Sequence, residues 1–165
     1  MAKSVLTKAI ELEFVEYLYD TRYELGIIEC AIGPRKKYGI VDVLSYQGKR
    51  VSNGRGKPRT REVTWRCYEI KISKQDFLSS HKWTFVGDYN YFVVPEILYD
   101  SIKEYIPKGI GCYVYVGGIN GFRLVKKAFK QKIKLSDSQL MHDYLVSNNR
   151  DSRRWLKFKT TGKLS

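Results

Sequence analysis

The sequence predicts an α/β domain, a mixed central sheet flanked by helices, and three observations carry that reading. Apolar residues recur at helical spacing over residues 5–19. Short runs rich in β-branched and aromatic residues follow at 26–32, 38–46, 65–73, 89–94 and 110–116, the lengths of strands rather than helices. Two helix-start signatures, Ser73 with Asp76 and Ser136 with Gln139, fall after such runs. With 165 residues, 43% of them hydrophobic, one well-cored domain is expected. It is read over 1–149, with a basic insertion at 47–64 and a basic tail at 150–165.

In the first helix Leu6, Ile10, Phe14 and Tyr17 form the apolar stripe, with Glu13 at its edge and Glu11 and Glu16 away from it. Glu13 either points towards the sheet or is an ordinary solvated glutamate. The strand at 26–32 carries Glu29, and Gly33-Pro34 ends it. Arg35, Lys36 and Lys37 lead into the next strand, where Asp42 interrupts Ile40, Val41, Val43 and Leu44.

The 47–64 stretch sets Gly48, Gly54, Gly56 and Pro58 among Lys49, Arg50, Arg55, Lys57, Arg59 and Arg61. That is too polar for the core, so it reads as a mobile basic loop or hairpin beside the site-bearing strands it joins. In the following strand, two-residue alternation sends Cys67, Glu69, Lys71 and Ser73 to one face and Tyr68, Ile70 and Ile72 to the other.

A helix capped by Ser73 runs to about Lys82, a residue within reach of a phosphate, while His81 reads as structural. An aromatic strand at 89–94 ends at Pro95, which begins a helix closing by Pro107. A strand at 110–116, a glycine-rich turn and a partner strand at 122–128 precede a last helix through Leu140, Tyr144 and Leu145. From Arg150 onward Arg153, Arg154, Trp155, Lys157 and Lys159 suggest a flexible basic arm.

Thirty Lys and Arg residues against 17 Asp and Glu leave a formal net charge of +13, which points to a polyanionic partner, nucleic acid before all others. No apolar run approaches a membrane span and no basic-then-apolar leader is present, so a soluble, cytoplasmic, DNA-associated protein is expected. Three widely separated cysteines and two histidines argue against a disulfide framework or a structural zinc.

Asp42 and Glu69 are carboxylates planted in buried-looking neighbouring strands, where a charge is costly unless paired or bound to a metal. Two such acids can share one hard cation through oxygen ligands. The competing reading is a buried Glu69–Lys71 ion pair with Asp42 at a turn or strand edge. Such a pair seldom adds net stability.

The element order, with Asp42 on the second strand and Glu69-Ile-Lys71 on the third, resembles the restriction-endonuclease-like core of the PD-(D/E)XK nuclease superfamily. More narrowly, Gly39-Ile-Val-Asp42, Glu69 to Phe77, Lys82-Trp83 and Tyr91 to Pro95 resemble MmcB-like DNA-repair nucleases and related phage proteins. That resemblance, over residues 5–125, implies that Asp42, Glu69 and the Ile70 carbonyl hold Mg²⁺ or Mn²⁺. It also implies that Lys71 acts on the attacking water, that Glu13 or its competitor Glu29 completes the site, and that Lys82 touches phosphate.

The function expected is a divalent-metal-dependent endonuclease acting on DNA in repair, recombination or phage DNA metabolism. Lys49, Arg50, Arg55, Lys57, Arg59, Arg61, Arg153 and Arg154 are its expected nucleic-acid contacts, and a homodimer or a protein partner is compatible with the sequence. The alternative is a non-catalytic nucleic-acid-binding protein, or a phage-encoded inhibitor, on a nuclease-like fold.

Overall fold

A computed structural model of the chain describes residues 3–52, 54–55, 60–79, 83–117, 121–132 and 135–162. The first helix begins where Ser4, in extended backbone, accepts the Thr7 N–H at 3.0 Å, relieving one of the donors that a helix start leaves open. This helix, α1, spans Val5–Arg22 and ends when Tyr23 turns left-handed. Three strands follow, β1 (Leu25–Ile32), β2 (Gly39–Val51) and β3 (Thr60–Ile70). Next come α2 (Lys74–Leu78), β4 (Tyr89–Pro95), α3 (Glu96–Ile102), β5 (Gly111–Tyr115), β6 (Phe122–Lys126) and α4 (Asp137–Thr161).

The six strands lie side by side in chain order. β1, β2 and β3 form an antiparallel meander, β3, β4 and β5 run parallel through the α2 and α3 connections, and β6 returns antiparallel. This is the mixed α/β sheet that the sequence predicts.

Each face is covered by apolar packing. Ile10, Phe14 and Leu18 of α1 rest on Val43, Tyr68, Tyr91, Val93 and Tyr113. On the opposite face Leu140 and Tyr144 of α4 cover Ile27, Val41, Leu44 and Trp65, while Phe77, Leu98 and Ile102 cover Phe92, Val94 and Val114. Phe14 sits at the centre of an aromatic cluster, edge-on to Tyr68 and Phe122 at 4.8 Å each. The three cysteines are buried and free.

Several local expectations change. The apolar stripe of α1 is wider than expected and shifted at its start: Ile10, Glu11, Phe14 and Leu18 are its buried residues, Tyr17 packs beside them against Phe14, Tyr113 and Phe122, and Leu6 is exposed. Between a loop and a hairpin at 47–64, the structure selects the hairpin: β2 and β3 stay paired out to Val51↔Thr60. Lys49, Arg50 and Arg61 therefore do not lie beside Asp42. At the usual strand rise, Arg50 stands roughly 26 Å along β2 from it.

α2 stops at Leu78, short of the expected helix end near Lys82; its Ser73 cap is as predicted, accepting the Asp76 N–H at 3.1 Å. The expected arm from Arg150 is no separate tail, because α4 continues through it unbroken to Thr161. Lys57, Arg59, His81 and Lys82 lie outside the described residues.

Candidate functional site

β1, β2 and β3 bring three acids to one level of the sheet. The β1–β2 ladder is interrupted between Ile28↔Val43 and Cys30↔Val41, where Glu29 stands opposite Asp42. The β2–β3 ladder ends at Val43↔Tyr68, one step short of Asp42 and Glu69. Where those strands part, the Asp42 Oδ2 accepts the Ile70 N–H at 2.9 Å, a side chain taking the place of a ladder carbonyl.

Glu29 is the cause of the break in β1. Its φ is +50°, the left-handed region that costs an L-residue with a β-carbon about 1–2 kcal/mol. Across it the facing of both strands resets: Ile28 and Val43 pack under α1, whereas Cys30 and Val41, two residues away, join the α4 side. Strain of this kind, held at a cluster of acids, is a mark of functional sites.

Glu69 lies on the α4 side of β3 and is only 6% exposed. Its hydrogen bond comes from the Thr84 backbone N–H at 3.3 Å. Thr84 comes that close because Gly39, at φ +106°, has no β-carbon; one added there would strike the Thr84 hydroxyl. No ion pair reaches Glu69 among the described residues. Burial first, and the neighbouring Asp42 charge second, push its carboxyl up to about 8. Lys71 follows immediately after β3, its N–H bonded to the Val93 carbonyl at 3.0 Å and its ammonium 3.6 Å from Asp76. The buried Glu69–Lys71 ion pair is therefore absent as a direct contact.

The α1 glutamate in the cluster is Glu11, not Glu13. Glu11 is buried on the stripe formed with Phe14 and Leu18, whereas Glu13 is exposed and accepts the Tyr115 hydroxyl at 2.8 Å. The signal for Glu11 was present in the sequence: it precedes Phe14 by three residues and Leu18 by seven, which is helical spacing once Leu18 is counted on the stripe beside Tyr17. Lys3 had no comparable signal. Its ammonium bonds the Glu11 carboxylate, sits 2.8 Å from Asp42 Oδ1 and lies 3.6 Å from Glu29. Burial works against that ammonium, but the charges and hydrogen bonds of Asp42 and Glu11 outweigh it and raise its pKa above the ordinary lysine value. Burial pushes the Glu11 carboxyl up, with Lys3 opposing.

Arg150 ties α4 to the same place, donating to the Ile28 and Glu29 carbonyls at 3.2 and 3.0 Å. The exposed Arg153 and Arg154 follow on α4 within a turn or so of that anchor. Lys49, Arg50, Arg55 and Arg61 are exposed on the distant ribbon, where Arg50 is directly across from Arg61.

The chain is similar to a solved protein of unknown function, SPO1766 from Silicibacter pomeroyi, at a TM-score of 0.59 and 18% identity, over 90% of this chain and 87% of that one. The likeness is one of fold. No family model matches the chain, and no curated protein matches it.

Glu11, Glu29 and Asp42 gather round the Lys3 ammonium, and Glu69 adjoins Asp42; all of these are oxygen donors, the kind that hard cations take. No group of three or more His, Cys, Asp or Glu among the described residues is already gathered to hold a metal ion. What stands among these acids is the Lys3 ammonium, so the cluster accepts positive charge. An oxygen-ligated divalent cation fits its chemistry.

Proposed function

We propose that the protein is a divalent-metal-dependent endonuclease that hydrolyses DNA phosphodiester bonds. The observation that carries the reading is Glu69, a buried carboxylate without an ion-pair partner among the described residues, next to Asp42 and two residues before Lys71. A buried carboxyl so poorly compensated holds its proton instead of a charge, and placing one there is a liability unless the site has a use for it. Asp42 and Glu69 hold the Mg²⁺ or Mn²⁺, with the Ile70 carbonyl beside them and Glu11 as the further carboxylate from α1. When bound, the ion supplies electrophilic stabilisation of the phosphoryl oxygens and an acidified water. Lys71 brings a fixed positive charge to the developing negative charge of the reacting phosphate.

Substrate grip is assigned to two separate basic surfaces. Arg153 and Arg154 extend α4 from the Arg150 anchor at Glu29. On the ribbon, Arg50 faces Arg61 across the ladder, an unfavourable like-charge pairing that a phosphate between them relieves. DNA is the expected nucleic acid, and a supporting protein partner or a second copy is compatible with this reading.

Labelled single-stranded, duplex and branched DNA incubated with Mg²⁺, Mn²⁺ or EDTA tests the proposal. Metal-dependent cleavage by the wild-type protein, lost in Glu69→Gln and in Lys71→Ala, is the expected result. Tight binding without cleavage under every metal would move the assignment to a non-catalytic nucleic-acid-binding protein or an inhibitor.

A further inference from the structure

The ring of acids around Lys3 carries an inference that rests on the metal-site reading and concerns how that site is filled. One ammonium serves three carboxylates from three elements: Glu11 of α1, Glu29 of β1 and Asp42 of β2. Both Asp42 oxygens are thereby engaged, Oδ1 by Lys3 and Oδ2 by the Ile70 N–H. Lys3 lies just before the Ser4 cap, so it can leave without unwinding α1.

We propose that Lys3 is a tethered cation that occupies the carboxylate cluster of the metal-free protein and must be displaced when a divalent ion binds. Positive charge at one locus is exclusive, because an ammonium and a divalent ion that share Asp42 and Glu11 repel each other at short range. Lys3 therefore lowers the apparent metal affinity by the fraction of molecules in which it holds the cluster. If that fraction is about nine in ten, the apparent affinity is about tenfold below the intrinsic one. The same contact keeps Glu11, Glu29 and Asp42 from repelling one another when no metal is present. Site occupancy and the position of the segment before α1 are thus coupled, so whatever holds that segment elsewhere tightens metal binding.

The test uses the full chain and Mn²⁺ as the probe, in two measurements. Calorimetric titration of wild type, Lys3→Gln and Lys3→Arg should give a dissociation constant about tenfold lower for Lys3→Gln and one near wild type for Lys3→Arg. Pulsed acetylation of the wild-type protein, read by mass spectrometry, should show Lys3 protected without metal and reactive at saturating Mn²⁺. The second measurement decides even if Lys3→Gln folds poorly. Wild type that binds Mn²⁺ with Lys3 still protected overturns the displacement and leaves the metal site standing. Failure of all three proteins to bind Mn²⁺ removes the metal site and, with it, this inference.

Discussion

Glu24 and Glu69 are both buried against the sheet, and the protein treats them in opposite ways. Glu24, fully inaccessible between α1 and β1, is surrounded by partners. Arg22 donates to it at 2.5 Å, the Ser45 hydroxyl at 2.7 Å and the Tyr68 hydroxyl at 3.0 Å, and the Arg66 guanidinium lies 3.2 Å away. Glu69, nearly as inaccessible, has among the described residues one backbone N–H at 3.3 Å and an acidic neighbour. The first site is saturated and holds β1, β2 and β3 to the end of α1. The second has positive charge only at a distance, from Lys71 and Lys3, too little to offset its burial and the Asp42 charge. A buried charge by itself therefore says little; the count of its partners separates a structural site from one awaiting a ligand.

Removing the saturated acid should have the largest effect. Glu24→Ala leaves Arg22 and Arg66 facing each other around a void and should cost about 3–5 kcal/mol in urea unfolding, with Glu24→Gln intermediate. Glu69→Gln should do the reverse to function and stability together. The proposed cleavage rate should fall by roughly 10²–10³ or more, the range seen when an electrostatic contact to a transition state is lost, while the protein stays folded.

The pH dependence of stability sharpens the contrast. Without metal, folded Glu69 keeps its proton up to about 8, while in the unfolded chain it ionises in the ordinary carboxylate range. The folded state binds the extra proton between those limits, so the contribution of this group to stability is present in acid and lost as pH rises through about 8. In EDTA, Glu69→Gln should therefore become more stable than wild type as pH rises from about 5 to 9, by an amount on the order of 1 kcal/mol or more. A wild-type protein with no such loss would place Glu69 with Glu24 in the saturated class. The smallest effect is expected at Glu29: replacement by Gly removes left-handed strain and should raise metal-free stability by up to about 1 kcal/mol in thermal unfolding.

The element order and the positions of Asp42 and Glu69 were legible because both follow from period: two-residue alternation marks which acid shares a face with which apolar neighbour, and turn residues mark where strands end. Glu11 was hidden because the stripe is wider than a four-residue reading. Tyr17 and Leu18 stand about 100° apart around the helix and both pack on the core, so stopping at the tyrosine leaves out the side that carries Glu11 and puts Glu13 at the edge. Lys3 and the φ of Glu29 were beyond reach. A lone lysine before a helix has no periodicity, and a glutamate gives no hint that its backbone is left-handed. The ribbon misled for a simpler reason: a stretch rich in Gly and Lys looks like a loop, although pairing of β2 with β3 persists nearly to its tip and carries Arg50 and Arg61 away from the acids.

The reach of α4 over β1 bears on how open the outer rim of the sheet is to another chain. β1 is an outer strand, and an outer strand with free backbone groups is a template for another chain to pair with. Here Arg150 takes the Ile28 and Glu29 carbonyls and Asp143 takes the Gly33 N–H at 2.9 Å, so part of that rim is already engaged from within the molecule. A chain cut after Asn149 would lose the arginine and bare two carbonyls beside a strained residue. Such a fragment should enter sheet-to-sheet aggregates more readily than the intact protein, which light scattering of the two at equal concentration checks.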